Sequence, residues 1–171
     1  MHSIADRPAQ KALLERFARD RPRAILYDAE SAALVDVFSG KTLQLDWQRV
    51  ARVAEGRNTE SGAPYLALMR DDGSQVILAD VGLAFAPVTA GTGPLPGLPA
   101  VVCLRDFAAT EARLTHYLVD HPGEPATRAH LDLFFFMLAV LDGARAVGLD
   151  VSREERRLEG LLAEIEARRG D

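Results

Sequence analysis

Tyr65-Leu-Ala-Leu-Met-Arg-Asp-Asp-Gly-Ser-Gln-Val-Ile-Leu78 is the stretch whose reading decides the fold class. Two apolar runs flank Asp71-Asp72-Gly73, and a turn that ends in glycine between two such runs marks a β-hairpin. The same alternating period extends toward the N-terminus. It predicts strands over 24–28, 32–38, 41–46 and 49–55, besides the hairpin strands 64–70 and 75–80. Asp28-Ala-Glu-Ser31 and Ser39-Gly40 supply turns between them. Short turns join neighbouring antiparallel strands, so the expectation is an up-and-down meander. Leu43, Leu45 and Trp47 fall on one face of it, with Trp47 expected to plug the core. The polar segment 56–62 reads as an exposed hairpin tip.

Toward the C-terminus the pattern breaks at 87–99, where four prolines and three glycines exclude a helix or an interior strand. Gly91-Thr-Gly93 lacks the following helix and the lysine of a phosphate loop. One more strand-like run, 101–104, leads into a helix from Asp106 to about His121, with Phe107, Leu114, Tyr117 and Leu118 on its apolar side. His121-Pro-Gly-Glu-Pro125 stops it. At the other end, Pro8, with Asp6 as cap, opens a short helix over 8–19 that buries Leu13, Leu14 and Phe17. Strands first and helices after give an α+β chain. It divides into an N-terminal helix (1–23), an antiparallel β domain closed by a helix (24–121), and a C-terminal helical hairpin (122–171).

The hairpin's first helix contains Leu131-Asp-Leu-Phe-Phe-Phe-Met-Leu-Ala-Val-Leu141 and begins near Thr127, its expected N-cap. One face carries Phe134, Met137, Leu138 and Leu141. The opposite side carries Phe135, Phe136, Ala139 and Gly143, also apolar or small. A helix apolar on both sides is covered on both sides, by its own chain or by a partner. Phe135, Phe136, Ala139 and Gly143 are therefore the candidate interface, the large residues as anchors and the small ones allowing close approach. Ser152-Arg-Glu-Glu155 reads as a capping box for a last helix with Leu158, Leu161, Leu162 and Ile165 on one stripe. That helix is expected to pack antiparallel on the one before it.

Composition narrows the function classes. The chain has 171 residues, 48% apolar and 26% charged, as globular domains do. The net charge of −5, without blocks of one sign, lacks the basic footprint of a nucleic-acid binder. The apolar run 133–141 is too short to cross a bilayer. Lysine occurs only at Lys11 and Lys41, a composition bias read as that of a bacterial genome. The single cysteine, Cys103, excludes an internal disulfide and a Cys-rich zinc site, and its apolar context suggests a buried thiol. No signal peptide is read at the N-terminus, so the expected compartment is the cytoplasm.

The order of seven strand-like runs followed by an amphipathic helix over about 24–121 resembles pleckstrin-homology-like domains. Asp46-Trp47-Gln-Arg-Val50-Ala-Arg-Val53 before a hairpin loop, and Tyr65-Leu-Ala-Leu leading through Asp72-Gly73 into Val76-Ile-Leu78, carry the resemblance. It implies a bent antiparallel sheet or small barrel plugged by a helix, serving as a docking module. Phosphoinositide-binding members place basic residues in the first hairpin, whereas Asp28-Ala-Glu-Ser31 is acidic here.

Few residues suggest chemistry. His116 and Asp120 are four apart on one helix, with His121 at its end and His130 opening the next. Together they are the one candidate metal cluster, although no spacing such as His-Glu-x-x-His is present. His130 also reads as a hydrogen-bonded capping residue. A third reading is a small-ligand carrier with a sheet–helix cleft lined by Trp47 and Phe107. The leading expectation is a non-enzymatic interaction or assembly module without cofactor, binding a protein partner or a second copy of itself.

Overall fold

The computed structural model describes residues 6–58, 61–86 and 102–169. The proline- and glycine-rich stretch 87–99 lies outside these. Among the described residues the order is α1 (Arg7–Arg19), β1 (Ile25–Asp28), β2 (Ala33–Asp36), β3 (Thr42–Gln44), β4 (Val50–Arg57), β5 (Pro64–Arg70), β6 (Gln75–Ala79), β7 (Gly82–Ala86) and β8 (Val102–Cys103). The helices α2 (Leu104–Asp120), α3 (Arg128–Ala146) and α4 (Ser152–Ala167) follow. The chain is α+β.

The meander is divided. β1-β2-β3 form one antiparallel sheet and β4-β5-β6-β7-β8 a second, each in sequence order, and neither closes into a barrel. The division falls at Asp46-Trp47-Gln-Arg49, where Asp46 Oδ1 accepts the Gln48 N–H at 3.0 Å and its carbonyl accepts that of Arg49 at 3.0 Å. This local turn replaces ladder pairing, so the strand that follows starts a new sheet.

The deciding hairpin is β5–β6, with Leu66 opposite Leu78 and Leu68 opposite Val76. Its turn is held by Asp72, whose Oδ1 accepts the Ser74 N–H at 2.9 Å and the Ser74 hydroxyl at 2.5 Å. Those two bonds draw the Asp72 carboxyl down to about 2. β7 was not expected. Its turn, Asp80-Val81, shows glycine only at Gly82, and Leu83, Ala84 and Phe85 are all buried, so no alternation marks a strand.

Burial on both faces follows from two layers. Leu66, Leu68, Val76, Leu78, Leu83 and Phe85 face a core shared with Leu14 and Phe17 of α1, Ile25, Leu34 and Leu43 of the small sheet, and the inner faces of α2, α3 and α4. On the other face Ala67, Ile77, Ala84 and Cys103 form a second, smaller cluster beside Tyr65.

Asp36 joins the two sheets. It is fully buried. Its Oδ1 accepts the N–H groups of Phe38 (2.9 Å) and Ser39 (3.0 Å), and its Oδ2 that of Leu83 (2.9 Å). A carboxylate is tolerated inside because three backbone donors replace its water. Gly82 is required there twice over. Its φ is +99°, and a Cβ would lie 2.6 Å from Asp36 Oδ2.

The helical layer is tied by its ends. Ala126 N–H donates to Arg168 O at 3.0 Å, so the start of α3 meets the end of α4, an antiparallel pair. The Arg168 guanidinium donates to Leu118 O (2.9 Å) and His121 O (3.0 Å), satisfying the last carbonyls of α2. Arg70 does the same for α3 through Ala146 O at 3.0 Å, and Lys41 bridges the small sheet to Glu154 of α4 at 2.8 Å. Between α2 and α4, Arg157 contacts Glu111 at 2.7 Å. Burial of Glu111 outweighs that contact and raises its carboxyl above the usual range.

Two expected caps differ. Asp6 makes no side-chain cap bond to α1. Ser152 does not cap α4 but is its first helical residue, and Asp150 Oδ1 accepts the Ser152 N–H at 3.1 Å. Asp150 lies two residues upstream of Ser152 and wins because an Asx turn already directs its carboxylate at the helix start.

Candidate functional site

α3 packs against β7, β8, α2 and α4, and its composition decides what remains open. Phe134, Met137, Val140, Leu141 and Ala144 are buried against sheet and neighbours. Of the four candidate interface residues, Gly143 is buried, Phe136 and Ala139 are half-buried, and Phe136 packs on the core. Phe135 is the exposed one, at 49%. The second apolar side of the helix is thus largely covered by its own chain, and the four residues do not form one open face.

The open face is a narrower stripe. Arg128, Phe135 and Asp142 are seven residues apart, two turns of helix, so they line up with a drift of about 20° per step. Half-buried Leu131, Leu138 and Ala139 fill the spaces around Phe135. At one end Arg128 pairs with Asp132 at 3.2 Å, and at the other Arg145 pairs with Asp142 at 3.3 Å. An apolar centre with a charged rim is the make-up of protein contact patches. Arg128, Leu131 and Asp142 were missed in the sequence and Leu138 was assigned to the opposite face, although their three-, four- and seven-residue spacing to Phe135 was there to be read.

The histidines do not converge. His116 Nδ1 lies 3.1 Å from Asp120, and His121 Nδ1 lies 3.4 Å from Glu124. His130 Nδ1 accepts the Thr127 N–H at 2.9 Å, closing the start of α3. The Tyr117 ring stands 4.8 Å from that of His121 and 4.1 Å from that of His130. Among the described residues no group of three metal-ligating side chains gathers at one point.

The other named residues are structural in placement. Phe107 is buried in the core. Trp47 is half-buried where the chain passes between sheets, with Arg7 and Lys11 of α1 over its ring at 5.5 and 5.6 Å. A cleft of about 270 Å³ on the outer face of the five-stranded sheet is lined by Tyr65, Ile77, Ala84 and Cys103. Its acids are engaged: Asp80 pairs with Arg21 at 2.8 Å, and Asp106 Oδ2 accepts the Cys103 thiol at 3.0 Å. Burial first, and that carboxylate second, push the Cys103 thiol up to about 12, which removes it as a nucleophile near neutral pH. Exposed apolar side chains also occur away from α3, at Leu26, Val37, Phe38, Val81 and Val119, and Arg105 stacks on Phe38 at 4.8 Å. No described helix is long and apolar enough to cross a membrane.

Searches against known protein families, curated proteins and solved structures find no match for this chain.

Proposed function

We propose that this chain is a non-enzymatic, cytoplasmic interaction module that associates with a second copy of itself through the outer stripe of α3. The observation that carries the reading is Phe135, half exposed at the centre of the stripe while its neighbours Phe134 and Phe136 pack into the fold. Exposing a phenyl ring on a rigid helix costs hydration free energy that a partner recovers. The strand-then-helix order resembling pleckstrin-homology-like domains supports a docking role over a catalytic one.

Light scattering on the full chain from about 1 to about 200 μM tests the proposal, a range chosen because single-helix contacts bury less than standard interfaces and bind weakly. A mass that rises from one chain to two supports it. A single-chain mass throughout sinks it.

A further inference from the structure

Given that self-association, the charges along α3 fix its geometry. We infer that two copies pair as an isologous, antiparallel helix pair, with Phe135 of each copy at the twofold axis and Arg128 of one facing Asp142 of the other.

The inference follows from spacing and sign. Arg128 lies seven residues before Phe135 and Asp142 seven after, so each is about 10 Å along the helix axis from it. An antiparallel pair centred on Phe135 superposes those two positions, and a twofold makes the contact twice. A parallel pair would set Arg128 against Arg128 and Asp142 against Asp142, which is repulsive. The apolar centre obeys the same symmetry. Leu131 and Ala139, four residues either side of Phe135, become opposed, a large side chain against a small one. Asp132 and Leu138 meet at the seam's edge, where Asp132 is already held by Arg128 at 3.2 Å. Arg145, 3.3 Å from Asp142 and also paired with Glu155 of its own chain, extends the alternating charges at each end. These side chains are open to the contact: Arg128 is 85% exposed and Asp142 56%.

Cross-linking with single cysteines tests the register without disturbing the core. Arg128→Cys and Asp142→Cys lie at exposed positions, and the native Cys103 is buried and resists oxidation. Under mild oxidation neither variant should cross-link alone, because like positions stand about 20 Å apart. An equimolar mixture should give the disulfide-linked heterodimer. Charge reversal adds a second readout: Arg128→Asp should weaken association about tenfold over its two symmetric contacts. Adding Asp142→Arg to the same chain should restore it. Should Arg128→Cys cross-link alone while the mixture adds nothing, the antiparallel register is wrong and self-association still stands. Should the wild-type chain stay single at about 200 μM, a concentration weak interfaces reach, both readings fall together.

Discussion

Asp36 and Phe135 both sit against the usual partition of side chains, one a carboxylate fully inside, the other a phenyl ring half outside. The difference between them lies in their partners. Asp36 has three backbone donors from its own chain, all within 3.0 Å, and its position is accounted for by the join between the two sheets. For Phe135, the one ring contact among the described residues is to its neighbour Phe134, centroids 5.8 Å apart. A buried polar group with complete bonding is explained by the fold, whereas the exposed Phe135 ring draws its meaning from the apolar and charged neighbours that make the α3 stripe a patch.

The sharpest way to break this comparison is to remove Asp36. Asp36→Ala leaves the buried Leu83 N–H and the part-buried N–H groups of Phe38 and Ser39 without their acceptor and should cost roughly 3–5 kcal/mol in urea unfolding. A loss under about 1 kcal/mol would mean that water replaces the carboxylate and that the junction is not closed. Phe134→Ala should cost about as much, roughly 3–4 kcal/mol, because it empties a core site. The adjacent Phe135→Ala should change monomer stability by less than about 0.5 kcal/mol. Equal losses for the two would place Phe135 in the core. Arg168→Ala strips the α2 carbonyls of their donor and should cost about 1–2 kcal/mol, with amide exchange speeding up at the end of α2 before the sheet is affected.

Two smaller effects sharpen the polar side. At pH 8 a thiol near 12 is ionised to roughly one part in ten thousand, so Cys103 should resist alkylation until the protein is unfolded. Asp72 has a folded value of about 2 against an ordinary 3.8. Its depressed value adds stability in full above the ordinary value, and that contribution is lost as pH falls toward 2. Asp72→Asn should therefore flatten the acid limb of the stability curve, and an unchanged limb would show that the turn does not need the charge.

The sequence was legible where the cause is local. The β5–β6 hairpin was visible because Asp71-Asp72-Gly73 carries its own turn chemistry, and the helices because their apolar stripes repeat. β7 was hidden because both of its faces are buried, which erases the alternation that identifies a strand. The joining of the two sheets depends on Asp36 reaching Leu83, forty-seven residues on, and no local pattern encodes that contact. On α3 the sequence showed two apolar sides but not which one stays open, since that depends on where α2 and α4 pack. The open face expected there was consequently too wide. Gly143 and Phe136 belong to the interior side, and the heptad through Arg128, Phe135 and Asp142 defines the stripe.

The most direct test of the account is Phe135→Glu, measured for mass by sedimentation equilibrium and for stability by urea unfolding on the same sample. Phe135→Glu should be a folded single chain, within about 0.5 kcal/mol of the wild-type monomer, at concentrations where the wild type is expected to pair. A variant that unfolds, or that remains dimeric, would contradict it, placing Phe135 in the core in the first case and the contact elsewhere on the surface in the second.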